Sequence, residues 1–164
     1  MSMLGSPALV WQEPDGRRTD GRSLMRLPAE EARARFAAAR VARLATVSAA
    51  GVPHLVPVTF AVIGERVVFV VDDKPKSTTR LRRLDNIAAR PAVCLLADVY
   101  DDDWTRLWWA RADGTATVLA TDAEAIDALA ARYPAYIERR PNGPVVSIEV
   151  TAWTGWAAAE KPPC

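Results

Sequence analysis

Arg43-Leu44-Ala45-Thr46-Val47-Ser48-Ala49-Ala50-Gly51-Val52-Pro53-His54-Leu55-Val56-Pro57-Val58 is the stretch from which the fold is read. Val41 to Ser48 is a strand-like run, and Ala49-Ala50-Gly51 is a turn signal. A second strand-like run goes from Pro53 to Ile63 and stops at Gly64-Glu65. A third, the β-branched run Arg66 to Val71, ends at Asp72-Asp73. Gly51 and Gly64 punctuate two hairpins, so the pattern predicts an antiparallel meander. Parallel strands need long crossovers, and these turns are too tight for a doubly wound sheet.

On the N-terminal side, Pro28 suits the first turn of a helix, and Glu30 and Glu31 follow where the helix dipole favours anions. Ala32, Phe36 and Ala39 recur at helical spacing, which predicts a helix over about 28–39. Residues 1–26 are polar, turn-rich and aperiodic, and are expected to be a flexible extension preceding one domain over 27–164.

On the C-terminal side a second helix is expected to open near Ser77-Thr78-Thr79. Leu81, Leu84 and Ile87 or Ala88 would form its apolar stripe, with Arg80, Arg82 and Arg83 on the wet side, and Pro91 closes it. Ala92 to Val99 reads as a buried strand. Leu107 to Leu119 reads as a long strand or bent hairpin, interrupted at Asp113-Gly114. Thr121-Asp122-Ala123-Glu124 matches a capping box ahead of Ile126, Leu129 and Tyr133 at helical spacing. Pro144 to Trp156 is the last strand region. Six or seven antiparallel strands with a few peripheral helices predict an α+β barrel.

The composition narrows the function classes. Twenty-one basic side chains against 20 acidic ones leave a formal charge of +1, without the basic excess of a nucleic-acid binder. No apolar run approaches the roughly 18 residues needed to cross a bilayer. The N-terminus lacks the pattern of a secretory signal, so a cytoplasmic location is expected. Cys94 lies in the apolar run Val93-Cys94-Leu95-Leu96 and reads as a small core residue, while Cys164 reads as a mobile terminal thiol. Neither belongs to a zinc or disulfide spacing, and no metal is expected.

The usual catalytic sets are missing. His54 is the single histidine, no G-x-S-x-G elbow is present, and neither G-x-G-x-x-G nor a Walker loop occurs. Asp101, Asp102 and Asp103 read as a solvated loop, and no catalytic side chain is named. What remains is Asp73-Lys74-Pro75-Lys76-Ser77-Thr78-Thr79-Arg80, with three cations and three hydroxyls between a strand end and a helix start. Free N–H groups at a helix start, charged donors and hydroxyls suit a phosphate.

Trp108 and Trp109 carry a separate argument. Adjacent strand residues point to opposite faces, so at most one can stay in its own barrel core. The other needs a second surface, such as a subunit interface or a wall for ring stacking. Trp153 and Trp156 read as packing or interface residues.

Three segments carry a resemblance. They are Arg43 to Val58, then Phe69-Val70-Val71-Asp72-Asp73-Lys74-Pro75-Lys76-Ser77 with Leu81-Arg82-Arg83-Leu84, Asn86-Ile87 and Pro91, then Asp103-Trp104-Thr105-Arg106-Leu107-Trp108-Trp109-Ala110-Arg111-Ala112-Asp113-Gly114. In this order they resemble the pyridoxamine-phosphate-oxidase-like split-barrel superfamily over about residues 27–158, and are most similar to its deazaflavin-using branch, whose cofactor is coenzyme F420.

That resemblance implies a split β-barrel and a homodimer whose cofactor clefts lie at the subunit interface. Lys74, Lys76, Ser77 and Thr78 would face the cofactor phosphate, with Arg80 nearby. Pro57, Val58 and Thr59 would line the tricyclic ring, and Trp108, Trp109 and Arg111 would reach the cleft from the partner subunit. It implies an oxidoreductase passing hydride between the deazaflavin and a small unsaturated organic substrate. Because the cofactor carries the chemistry, a sparse acid–base apparatus suffices. Two other readings stay open: an FMN-dependent oxidase or reductase on the same fold, and a non-catalytic cofactor carrier. The cations at Lys74, Lys76, Arg80, Arg82 and Arg83 would suit an oligoglutamate tail. No substrate motif of pyridoxamine phosphate oxidation follows Trp156.

Overall fold

The computed structural model describes residues 25–71 and 81–158. In chain order these form β1 (Met25–Arg26), α1 (Ala29–Ala38), β2 (Ala42–Val47), β3 (Pro53–Val58), β4 (Ala61–Ile63), β5 (Arg66–Val70), α2 (Arg82–Ala89), β6 (Ala92–Val99), β7 (Trp108–Leu119), α3 (Ala123–Arg132), α4 (Pro134–Glu138) and β8 (Val145–Ala157). A short 3-10 turn, Trp104–Arg106, precedes β7.

The described strands make one antiparallel sheet in the order β3-β2-β6-β7-β8-β5-β4, with β1 pairing β8. The expected α+β split barrel with peripheral helices is present. The meander is corrected. Pro53 to Ile63 forms two strands, because the chain leaves the sheet at Thr59-Phe60, and these two strands end up at opposite edges. The two hairpins are real, each turning on a glycine with positive φ, +83° at Gly51 and +56° at Gly64. They close the two ends of one sheet and do not pair with each other.

The expected helix over 28–39 is α1, with Pro28 as its N-cap residue. It sends Ala32 and Phe36 into the main core beside Leu44, Phe60, Val67, Phe69, Leu95 and Ile148. Phe36 meets the Phe60 ring at 4.8 Å and the Trp153 ring edge at 5.3 Å between centroids. The apolar run of β5 buries both faces. Val67 and Phe69 face the main core, while Val68 and Val70 pack with Ala125, Ile126 and Leu129 of α3.

Several expectations shift. The 1–26 extension ends in β1, whose Arg26 pairs in register with Trp156. Helix α2 starts at Arg82 with Leu81 as N-cap residue, and the expected start at Ser77 lies outside the described residues. Its stripe buries Ile87 and leaves Ala88 exposed, and buried Asn86 donates to Thr46 Oγ1 at 3.0 Å. At α3 the cap is Asp122, whose carboxylate accepts from the Ala125 N–H at 3.1 Å; Glu124 turns away to Arg66. Leu107 to Leu119 resolves into one strand, β7, with a bulge in its pairing to β8 at Asp113/Gly114. The short helix α4 was not expected.

Candidate functional site

Helix α3 covers the outer face of β5. Across β3, β2, β6 and β7, by contrast, the outer face carries a pocket open to the surface. Strand alternation determines who faces it. On β6, Val93, Leu95 and Ala97 are buried inward, so Cys94, Leu96 and Asp98 point outward. On β7, Ala110 and Ala112 go inward, and Trp109 and Arg111 outward. On β2, Arg43 and Ala45 flank buried Leu44, and Leu55 of β3 is 65% exposed.

These outward residues, with Tyr100, line a pocket of about 430 Å³. This size falls in the range of small-molecule sites. A shallower hollow continues along Val47 and Ala92. The expectation that Cys94 is a core residue is therefore corrected. It is half-buried on the outer face, because the apolar run around it is the inward half of an alternating strand plus Leu96.

Both arginines of the pocket lining are ion-paired. Arg43 binds the Asp98 carboxylate, and Arg111 Nε donates to Asp113 Oδ2 at 2.9 Å. Burial pushes the Cys94 thiol up from its ordinary value; Asp113 adds to this and Arg111 opposes it.

The site residues expected from the sequence fall into three groups. Trp109 and Arg111 line the pocket. Trp108 faces the other way and packs against the main core, so the two tryptophans occupy opposite faces as strand alternation requires. Pro57, Val58 and Thr59 lie on and just after β3. Val58 is buried in the core, Pro57 is exposed, and the Thr59 hydroxyl hydrogen-bonds the Tyr136 hydroxyl at 3.0 Å. Lys74, Lys76, Ser77, Thr78 and Arg80 lie outside the described residues.

The Thr59-Phe60 crossing is held from behind. The Tyr133 hydroxyl accepts from the Phe60 N–H at 3.0 Å and lies 2.9 Å from the Phe60 and Arg40 carbonyls, to either of which it can donate. Among the described residues strand β3 pairs only with β2, so the backbone groups on its other side are unpaired there. Leu55 ties that edge to the pocket.

Sequence reasoning missed Arg43, Ala45, Leu55, Cys94, Leu96, Asp98 and Tyr100 as pocket residues. The available signal was the two-residue period of β6, which places Cys94, Leu96 and Asp98 on one face. The Asp101–Asp103 loop serves the local turn. Asp101 pairs with Arg106 at 3.0 Å, and Asp103 accepts from the Thr105 N–H and hydroxyl, which hold its carboxyl below its ordinary value. His54 is half-buried, and its Nδ1 has no hydrogen-bond partner among the described residues. Among those residues no cluster of three or more His, Cys, Asp or Glu could hold a metal ion, and no helix is long and apolar enough to cross a membrane.

Solved structures share this architecture. A FAD-binding protein from Mesorhizobium loti superposes with a TM-score of 0.67 at 18% identity, over 85% of this chain and 100% of its own. A FAD-binding protein from Mycobacterium smegmatis gives 0.57 at 19% identity, over 82% and 100%. A heme-binding protein from the same organism gives 0.63 at 21%, over 80% of this chain and 57% of its own. At such identities the likeness establishes the fold. No curated protein matches the sequence. The sequence does match the pyridoxamine 5'-phosphate oxidase family over residues 28–157, four-fifths of its length, and the chain belongs to that family.

Proposed function

We propose that the protein is an oxidoreductase that holds a flavin-type cofactor, in the finer reading the deazaflavin coenzyme F420, and reduces a small unsaturated organic molecule. The observation that carries this is the outer edge of β3, unpaired among the described residues, running into a pocket walled by an indole. A tricyclic ring needs an apolar surface and a row of hydrogen-bonding groups for its pyrimidine edge. Backbone N–H and C=O groups of Pro57–Thr59 would supply the second, except that Pro57 has no N–H. The residues present fit such a ring. Two of the structurally similar proteins are described as FAD-binding, which favours a flavin-type ring.

When bound, the cofactor supplies hydride chemistry. The chain's own residues bind and orient. Lys74, Lys76, Ser77 and Thr78 would hold the phosphate, with Arg80 nearby. Tyr136 and Tyr133 keep the Thr59-Phe60 crossing fixed, so that β3 presents its edge in one position. Trp109 offers an aromatic wall, and the open pocket gives a substrate access. The proton that balances such a reduction would come from water.

The molecule would act as a homodimer, with this outer face turned to a second copy and Trp109 and Arg111 near its cleft, while Trp108 packs inward against the core.

Titration of the full chain with FMN, FAD and coenzyme F420, followed by absorbance and fluorescence, tests the cofactor. Saturable binding of F420, tighter than of FMN, is the expected result. Tight FMN binding without deazaflavin affinity would move the reading to the flavin enzyme, and binding of none of the three would end it. Turnover with a panel of quinones and enones separates the enzyme from a carrier.

A further inference from the structure

We infer that the pocket on the outer face selects an uncharged, planar conjugated molecule, because each arginine among its described lining residues is already paired with an aspartate, Arg43 with Asp98 of the lining and Arg111 with Asp113 next to it. This rests on the proposed function in taking the pocket as the place of the substrate.

Its lining is largely apolar, with Ala45, Leu55, Cys94 and Leu96, and has aromatic faces at Trp109 and Tyr100. Such a lining favours flat rings. Two guanidinium groups would normally attract a carboxylate or phosphate. Here Arg43 binds Asp98, and Arg111 binds Asp113 two residues along the same strand face. Among the described residues, each guanidinium at the pocket therefore has its charge matched by an adjacent carboxylate.

An anionic ligand at the remaining N–H groups of Arg43 would share a guanidinium whose charge Asp98 already balances. That would set a second negative charge beside the Asp98 carboxylate, whose side chain is 21% exposed. The ligand would lose hydration as well, without gaining a net counter-charge. A cationic ligand faces the mirror problem at Arg43 and Arg111. A neutral ring meets neither cost.

The test compares near-isosteric probes on the full chain by isothermal titration calorimetry: naphthalene-2-sulfonamide (neutral), naphthalene-2-sulfonate (anionic) and 2-naphthamidine (cationic). The sulfonamide is expected to bind at least about tenfold more tightly than either ion, the scale of one screened charge contact. Trp109→Ala should weaken it. Asp98→Asn frees Arg43 and should raise sulfonate affinity about tenfold, with the sulfonamide little changed. Sulfonate binding as tightly as sulfonamide, an Asp98→Asn variant with an unaltered preference, or Trp109→Ala without effect would overturn the inference. Repeating the series on cofactor-saturated protein keeps the two readings apart. A chain that binds a cofactor but prefers the sulfonate refutes the selectivity alone. One that binds no cofactor but prefers the sulfonamide refutes only the redox reading.

Discussion

Tyr133 shows how much a single hydroxyl can hold. Its ring sits in the cluster between α3 and β5, while its oxygen satisfies the Phe60 N–H at the point where the chain crosses from one sheet edge to the other. Phe60 is fully buried, so that N–H cannot turn to water. Tyr133→Phe should therefore cost about 1–3 kcal/mol, the penalty for a buried group left unpaired, read by urea unfolding. Lys76 belongs to the proposed cofactor site. Lys76→Ala should weaken cofactor binding by about 1.5–3 kcal/mol, as expected for a hydrogen bond to a charged group, with unfolding unaffected. Unchanged affinity in the titration would contradict the phosphate assignment. The type of these residues was legible in the sequence; Tyr133, expected at helical spacing with Ile126 and Leu129, packs with them but is the extended C-cap residue just past α3. Its bond to Phe60 was not legible, because the two are 73 residues apart and meet only after the barrel closes.

Among the elements, α3 and the β7–β8 ladder carry the sharpest expectations. The Ala125 N–H and then the Arg66 guanidinium hold the Asp122 carboxyl below its ordinary value. A depressed carboxyl contributes stability that is complete above its unfolded value of about 4, and this is lost as pH falls through the folded value. Asp122→Ala should cost about 0.5–2 kcal/mol near neutrality, the usual value of an N-cap. The gap between variant and wild type should shrink below about pH 4 in unfolding measured across pH. In β7, a Cβ at Gly114 would lie 2.3 Å from the Glu149 carbonyl oxygen and 2.9 Å from Ile148 Cγ2. Gly114→Ala should destabilise by about 1–3 kcal/mol through overpacking at the bulge, and thermal unfolding will read it. Asp113-Gly114 stood out in the sequence as an interruption. Whether it made a second hairpin or a bulge depended on β8, which runs opposite it and arrives some 30 residues later.

At the scale of the molecule, one sheet has two differently treated outsides. One is covered by α3; the other exposes Leu55 and the pocket. If the second face meets another copy of the chain, Leu55→Glu should place two charges in that contact. Sedimentation should then show a dimer for the wild type and a monomer for the variant, and the variant should lose cofactor affinity with it. A wild-type monomer would remove the proposal that the cleft is shared.

Within this chain, local patterning was enough to determine the antiparallel character, the two glycine hairpins, the positions of β6, β7 and β8, and the opposite faces of Trp108 and Trp109. Each follows from interactions between residues near one another along the backbone, where period and turn chemistry act directly. The separation of β3 from β4 and the pairing of Arg43 with Asp98 were decided only by the tertiary structure. Hydrophobic runs do not say which of two sheet edges a strand will join, and a charge finds its partner only when strands 55 residues apart are laid side by side.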